Sequence, residues 1–234
     1  MRTVPIWSTD TNRFIQYFLC DDIEGVTYLA NSGTIPLHIW MSRVESLERP
    51  DWCVIDLDPK DAPFEHVVRV ARHLHALLDE LGTKHFVKTS GQAGLHVLLP
   101  LGGQLDHDQA RQLGEVLARV VCADLPEIAT IARPIAARAS RVYVDFLQNG
   151  RGKLIASAFS VRPRPRAPVS MPLRWSQVSA RLDPARFNIT SALERIAADG
   201  DPLRSVLDES IDVAELLGAL GERLAAAQAG GGEG

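Results

Sequence analysis

Three cysteines in 234 residues, Cys20, Cys53 and Cys122, are too few and too scattered for a disulfide framework or a zinc cluster, and their apolar settings read as reduced core thiols. Aromatic residues make up only 6% of the chain, and no apolar run approaches the length of a membrane span. The opening MRTVPIWSTDTNRF lacks the basic flank and apolar stretch of a secretory signal, so a cytoplasmic location and no membrane partner are expected. There is no internal repeat. With 46% hydrophobic residues, the chain can bury a substantial core as one large domain or two small lobes.

Strong net charge is missing too: the balance is −4, which excludes a surface coated in basic residues. Its distribution is uneven, however. From Arg133 to Arg166 there are eight Arg or Lys and a single acid, Asp145. A basic field around one carboxylate suits a phosphate-rich substrate if the carboxylate carries a cation; a solvated basic face is the plainer alternative. From Asp199 onward the balance turns acidic, and residues 226–234, within the closing AAAQAGGGEG, are expected to be a disordered tail.

Periodicity places the elements. Short β-like runs at Thr3–Trp7 and Phe14–Leu19 precede a helix near Ile23–Ser32. CVIDLDP is an apolar strand stopped by Pro59. Phe64, Val67, Val68, Ala71, Leu74, Leu78 and Leu81 then recur at helical spacing, with Asp61 as an available cap, Pro63 in the first turn and Gly82 past the end. A strand at His85–Thr89, a glycine loop and a strand at Leu95–Pro100 follow. The next helix, Asp106 to about Ala123, opens with Asp106 and Gln109 in capping-box spacing. Arg141–Leu147 alternates as a strand, Asn149-Gly150 is a hairpin signal into Leu154–Phe159, and a proline-rich extended segment leads to a helical tail from Trp175. Mixed order with hairpins predicts an α+β fold on a mostly antiparallel or mixed central sheet with flanking helices.

The chemistry concentrates at three places. Asp56 and Asp58 are two residues apart on a strand, so both carboxylates share one face, and Asp145 lies on a second strand about ninety residues on. Carboxylates at a strand end suit Mg²⁺ or Mn²⁺, which prefer oxygen ligands and complete their shell with water and phosphate. A lone DxD is more often a turn and a hydrogen-bonded polar residue, so the neighbouring motifs decide. Between the aspartates, KTSGQAGLHVLLP reads as strand, glycine turn and strand. Gly91 and Gly94 permit a tight turn whose amides can face an anion, Ser90 adds a hydroxyl and His96 opens the next strand. His66, His73, His75, His85 and His107 read as residues of helix surfaces or strand edges without chemistry.

DLDP, the SGxxGxH turn, the VDxxQN strand and the AFSVR segment occur together in one order, flanked by YLANSGTIPLHIW and APVSMPLRW. In this combination the chain resembles the polymerase domain of bacterial ligase D, of the archaeo-eukaryotic primase superfamily, over about residues 1–185. The resemblance implies a primase-polymerase fold with 1–185 as catalytic core and 186–225 as a helical segment of the same domain. It implies a DNA/RNA polymerase that adds nucleotides, preferably ribonucleotides, to primer 3′ ends at DNA gaps and double-strand breaks in non-homologous end joining. Two divalent ions, Mn²⁺ before Mg²⁺, would be held by Asp56, Asp58 and Asp145. Ser90, Gly91 and His96 match the family's triphosphate-binding turn, and Arg138, Gln148 and Arg162 match positions that meet the nucleotide's phosphates or sugar; His38 would support them from behind. Nucleoside triphosphates, DNA ends or gaps, and an ATP-dependent ligase domain and Ku are the implied partners, and the bacterial nucleoid the implied setting.

Two departures stand out. Family members commonly carry a lysine inside the glycine turn, where this chain has Gln92-Ala93, and the family domain usually begins some eighty residues earlier, with a segment that helps recognise the 5′-phosphate of a gap. A catalytically impaired nucleic-acid-binding fragment or scaffold is therefore the competing expectation, opposed by retention of all three aspartates, His96 and Arg162. A phosphohydrolase of the haloacid dehalogenase type also uses DxD, but expects Thr or Val where Lys60 stands.

Overall fold

The computed structural model describes residues 2–8 and 11–230. β1 (Arg2–Ser8) and β2 (Arg13–Leu19) form an antiparallel ribbon of their own. α1 (Ile23–Asn31) follows, its first turn capped by the Asp22 carboxylate, which accepts from the Gly25 amide at 2.6 Å. The remaining elements are β3 (His38–Ile39), β4 (Trp52–Asp58), α2 (Phe64–Glu80), β5 (Phe86–Thr89), β6 (Leu95–Pro100), α3 (His107–Asp124), β7 (Ala129–Thr130), α4 (Ile135–Arg138), β8 (Val142–Asp145), β9 (Ile155–Ala156), β10 (Pro172–Leu173), α5 (Ile189–Asp199) and α6 (Val213–Gly230). The central sheet has the order β10-β5-β6-β4-β8-β7, antiparallel throughout except for the β7–β8 pair. This is the expected α+β class with a mixed sheet.

Alternation along β4 divides the molecule. Cys53, Ile55 and Leu57 are fully buried in the main core with the α2 residues Val67, Val70, Ala71, Leu74 and Leu78 and with Leu113, Leu117 and Val121 of α3. Trp52 and Val54 face the other way, in a smaller cluster with Met41, Leu98 and Ile155. Each buried Leu, Ile or Val contributes about 1.5–3 kcal/mol of burial energy, so the helix side fixes the register of β4. Asp56 and Asp58 are thereby held on the opposite face from the helices. Beyond residue 185, Ala192, Ile211, Val213, Leu216 and Leu220 pack into the same main core, while Leu203 and Val206 join the smaller cluster.

Several local expectations fail for physical reasons. α2 begins at Phe64 with Pro63 in the cap position and no side-chain cap; Asp61 lies in the preceding turn, closed by the Ala62 amide donating to the Pro59 carbonyl. Asn149-Gly150 does not make a hairpin. Asn149 is buried and its amide serves β4: Oδ1 accepts from the Val54 amide and Nδ2 donates to the Val54 carbonyl, each at 2.7 Å. The strand beyond it, β9, pairs with β3 instead. Trp175–Gln177 is a single 3₁₀ turn, a second such turn follows at Pro184–Arg186, and α-helix begins only at α5. Cys20 is exposed, unlike buried Cys53. His85, at the edge of β5 as expected, is nevertheless buried, with Nδ1 on the Thr83 carbonyl, and His107 is buried between the Leu47 and Asn149 carbonyls rather than lying on a helix surface. α6 continues to Gly230, into the stretch expected to be tail, while residues 231–234 lie outside the described residues. The capping box on α3 is present as expected, with Asp106 and Gln109 bonding reciprocally.

Candidate functional site

Strand register assembles the site. Asp56 stands opposite His96 of β6 on one side and opposite Asp145 of β8 on the other, and His96 in turn stands opposite Lys88 of β5. Directly paired residues project to the same face, so Lys88, His96, Asp56 and Asp145 form one row across four strands, with Asp58 a single step along β4. Residues nearly ninety positions apart in sequence thus become neighbours.

The row is electrostatically strained. Burial, then Asp145, then Asp58 push the Asp56 carboxyl up to about 7. Burial likewise pulls the Lys88 ammonium down to about 7 against the pull of Asp56. Lys88 is only 1% exposed and satisfied on its buried side: Nζ donates to the Ser170 hydroxyl at 2.6 Å and meets His96 Nδ1 at 2.8 Å. A lysine donor there makes Nδ1 the acceptor, so the His96 hydrogen sits on Nε2, which faces Asp56 Oδ1 at 3.5 Å. Burial, with the nearby Lys88 and Arg162 charges, holds His96 well below its ordinary value and therefore neutral.

Asp145 is positioned by its own turn. Its Oδ1 accepts from the Leu147 amide at 2.8 Å and from the Tyr143 hydroxyl at 3.3 Å, and its Oδ2 accepts from Gln148 Nε2 at 3.2 Å. Asn149 pins that turn to β4. Asp58 has a different partner: Arg138 Nη1 donates to Oδ2 at 3.0 Å while its guanidinium lies over the Tyr143 ring, 4.0 Å from the centroid.

Above the row opens a cleft of about 450 Å³, lined among others by Asp56, Asp58, Ser90, His96, Gln148 and Arg162. Its size is that of a small-ligand site. Ser90 closes the glycine turn, its hydroxyl accepting from the Gln92 and Gly94 amides at 3.1 and 3.0 Å; these two amides, expected to face an anion, are engaged inside the turn. Gly94 must lack a side chain because a Cβ would stand 2.4 Å from the Leu57 carbonyl oxygen. Gly91, at φ +74°, lies behind Arg162, whose Cγ would meet its Cβ at 2.7 Å; it seats the arginine rather than lining the cleft. Arg162 Nη1 lies 3.3 Å from His38 Nε2, and His38 itself lines the cleft beside the arginine rather than only supporting it from behind.

Of the nine singled-out residues, six line the cleft; the other three each touch one that does, Asp145 bonding Gln148, Arg138 bonding Asp58 and Gly91 packing against Arg162. Lys88 and Lys60 were not anticipated. The signal for Lys88 was available: a lysine within the apolar strand FVKT is a buried-charge candidate. Nothing local announced Lys60, which enters the cleft because the turn after Pro59 gives it φ +47°.

The model of the LigD primase-polymerase domain matches residues 1–203, through α5 and past the expected limit of about 185. The chain belongs to the LigD primase-polymerase domain family. The bifunctional non-homologous end joining protein LigD of Bacillus subtilis is 32% identical over 189 residues, covering 80% of this chain and 31% of that protein. The multifunctional non-homologous end joining protein LigD of Pseudomonas aeruginosa is 32% identical over 182 residues, covering 76% of this chain and 22% of that protein. This primase-polymerase chain therefore spans under a third of the length of these relatives. Among solved structures, the polymerase domain of Mycobacterium tuberculosis ligase D in complex with DNA superposes with a TM-score of 0.77 at 25% identity, over 90% of this chain and 75% of that one. No helix among the described residues is long and apolar enough to cross a membrane.

Proposed function

We propose that this chain is a template-directed nucleotidyltransferase that adds nucleotides, ribonucleotides by preference, to primer 3′ ends at DNA gaps and double-strand breaks during non-homologous end joining. The observation that carries the reading is the Asp56–Asp145 pairing across β4 and β8, with Asp58 beside it, next to a cleft that also holds Ser90, His96, Gln148 and Arg162, side chains suited to phosphate.

The donor set fits divalent cations. Burial and the two neighbouring carboxylates together make Asp56 resist ionising despite Lys88 and Arg162 nearby, and hard cations with oxygen ligands relieve that repulsion. Asp56, Asp58 and Asp145 would hold two ions, Mn²⁺ or Mg²⁺, which when bound supply the charge neutralisation and oxygen activation of phosphoryl transfer. The protein's own groups do the rest. Arg162, fixed by His38 and Gly91, offers a planar pair of donors to phosphate oxygens. His96, with its hydrogen held on Nε2, is a neutral donor into the cleft. Gln148 is oriented through Asp145, and Ser90 shapes the turn that bounds the triphosphate. Arg138 neutralises Asp58 and steadies it for its ligand role.

DNA ends are the proposed macromolecular substrate, consistent with the DNA in the M. tuberculosis structure, and a ligase domain and Ku are proposed partners. The haloacid dehalogenase alternative does not fit: Lys60 lies in the cleft where that chemistry expects Thr or Val.

The test is extension of a labelled primer across a short 5′-phosphorylated gap with ribonucleotides and Mn²⁺, comparing this chain with Asp145→Asn. Extension lost in the variant is the expected result. A folded wild type that binds the DNA without extending the primer would replace the proposal with a non-catalytic binding role.

A further inference from the structure

A second group of metal-ligating side chains lies away from the cleft. His75 and Asp79 project from the last turns of α2, at i and i+4 and hence on one face, and His85 lies just before β5. One ligand atom from each of the three lies within 4.8 Å of the other two. His75 Nδ1 is 2.7 Å from His85 Nε2, 3.5 Å from one Asp79 oxygen, and the other Asp79 oxygen is 3.9 Å from His85 Nε2.

The surroundings prepare His85 as a ligand. Its Nδ1 lies 2.7 Å from the Thr83 carbonyl, so that nitrogen carries the hydrogen and donates, and Nε2 is left with its lone pair directed at the cluster. Metal-bound histidines almost always have such a carbonyl or carboxylate partner on the other ring nitrogen. His75 is held by stacking on Trp175, with centroids 4.2 Å apart and planes 7° apart, and the Trp175 indole N–H donates to the His85 carbonyl at 3.2 Å. The His85 side chain is 3% exposed, His75 30% and Asp79 61%, so the cluster is closed beneath and open to water above.

The distances suit a small tetrahedral ion. Two nitrogens bound to one zinc stand about 3.3 Å apart. Asp79 is already at about that spacing from His75, and the two imidazoles need to part by only about 0.6 Å from their present hydrogen bond, with water as fourth ligand.

We propose that His75, Asp79 and His85 form a structural site for a borderline divalent cation, zinc foremost, that staples the C-terminal end of α2 to the start of β5. Two imidazoles and one carboxylate select zinc over Mg²⁺ and Mn²⁺, which favour all-oxygen shells, so the site is chemically distinct from the three aspartates. β5 carries Lys88 and leads into the Ser90 turn, so the staple anchors one side of the cleft from behind.

The test uses the whole chain, freed of metal, in calorimetric titrations and thermal melts with zinc, beside His75→Gln, Asp79→Asn and Asp56→Asn. Asp79 is a surface position, and His75, half-buried against Trp175, lies outside the main core, so Asp79→Asn leaves the packing intact and serves as the check on any packing loss in His75→Gln. The expected result is one zinc per chain, binding lost in His75→Gln, weakened in Asp79→Asn and retained in Asp56→Asn. At free zinc about a hundredfold above Kd, the wild-type Tm should rise by about 5–10 °C. Mn²⁺ at the same concentration should shift the Tm of wild type and of His75→Gln by equal amounts. No stoichiometric zinc binding by the wild type, or binding that survives His75→Gln and disappears in Asp56→Asn, would overturn the proposal.

Discussion

Replacing Asp56 with Asn removes one charge from a crowded trio without changing side-chain shape, so its effect on stability can be worked from the structure. Asp56 is paired directly with Asp145 and its folded-state carboxyl is raised to about 7 by burial and its two acidic neighbours. The sign follows from proton binding. With the folded value above the unfolded one, the native state holds the extra proton between about pH 4 and pH 7, so stability falls as pH rises through that window and the penalty is then constant. Linkage gives a ceiling of about 1.6 kcal/mol at pH 5 and about 4.3 kcal/mol at pH 8. Because 23% of the Asp56 side chain meets solvent, a gain of about 1–3 kcal/mol is the realistic size for Asp56→Asn at pH 8. That is about 2–10 °C in Tm for a chain of this length. Urea and thermal melts in chelator at pH 5 and pH 8 measure it: the variant should be the more stable protein, and more so at pH 8. Added Mn²⁺ should then raise the wild-type Tm far more than the variant's, and primer extension should be lost in the variant. A variant that melts at or below wild type at pH 8, or whose advantage is equal at both pH values, would show that carboxylate crowding does not strain this site.

Lys88→Met keeps the buried stem and removes the donor that sets the His96 tautomer; nucleotide addition should fall about 10–100-fold, and a fully active variant would deny Lys88 its positioning role. Arg162→Ala should weaken nucleotide binding by on the order of tenfold to a hundredfold and flatten its salt dependence, measured by titration at several ionic strengths; an unchanged affinity and slope would remove Arg162 from the phosphate site. Gly94→Ala sets a Cβ against the Leu57 carbonyl and should cost about 1–3 kcal/mol in urea melts while also weakening nucleotide binding; a neutral outcome would mean that the turn and β4 can separate without loss.

What could be read from the sequence was whatever a short window encodes. Period-two alternation stopped by Pro59 put Asp56 and Asp58 on one face, helical spacing outlined α2 and α3, and Asp106 with Gln109 marked the start of α3, because each rests on contacts within a few residues. Asn149-Gly150 shows where that logic ends. Its dipeptide favours a tight hairpin, but the Asn149 amide instead satisfies the backbone of Val54, a partner ninety-five residues away, and a buried pair of peptide groups left without partners costs more than a turn preference gains. Lys88 and His85 were passed over for the same reason: composition treats lysine and histidine as surface residues, and only tertiary packing supplies the Ser170 hydroxyl, the His96 ring and the Thr83 carbonyl that make them tolerable inside.

The resemblance to ligase D polymerase domains supplied the list of site residues, but not the arrangement that makes them a site. That arrangement is the register of four strands, and it depends on the apolar face of β4, since slipping β4 by one residue against its neighbours would bury Asp56 against α2 and expose Ile55 in the cleft. The carboxylates are therefore held in a repulsive cluster by hydrophobic side chains on the other side of the same strand, which supply the stability that the cluster itself consumes. A site built this way should tolerate neutralisation of any one carboxylate as a fold while losing function, whereas a polar substitution at Ile55 or Leu57 should destroy both together.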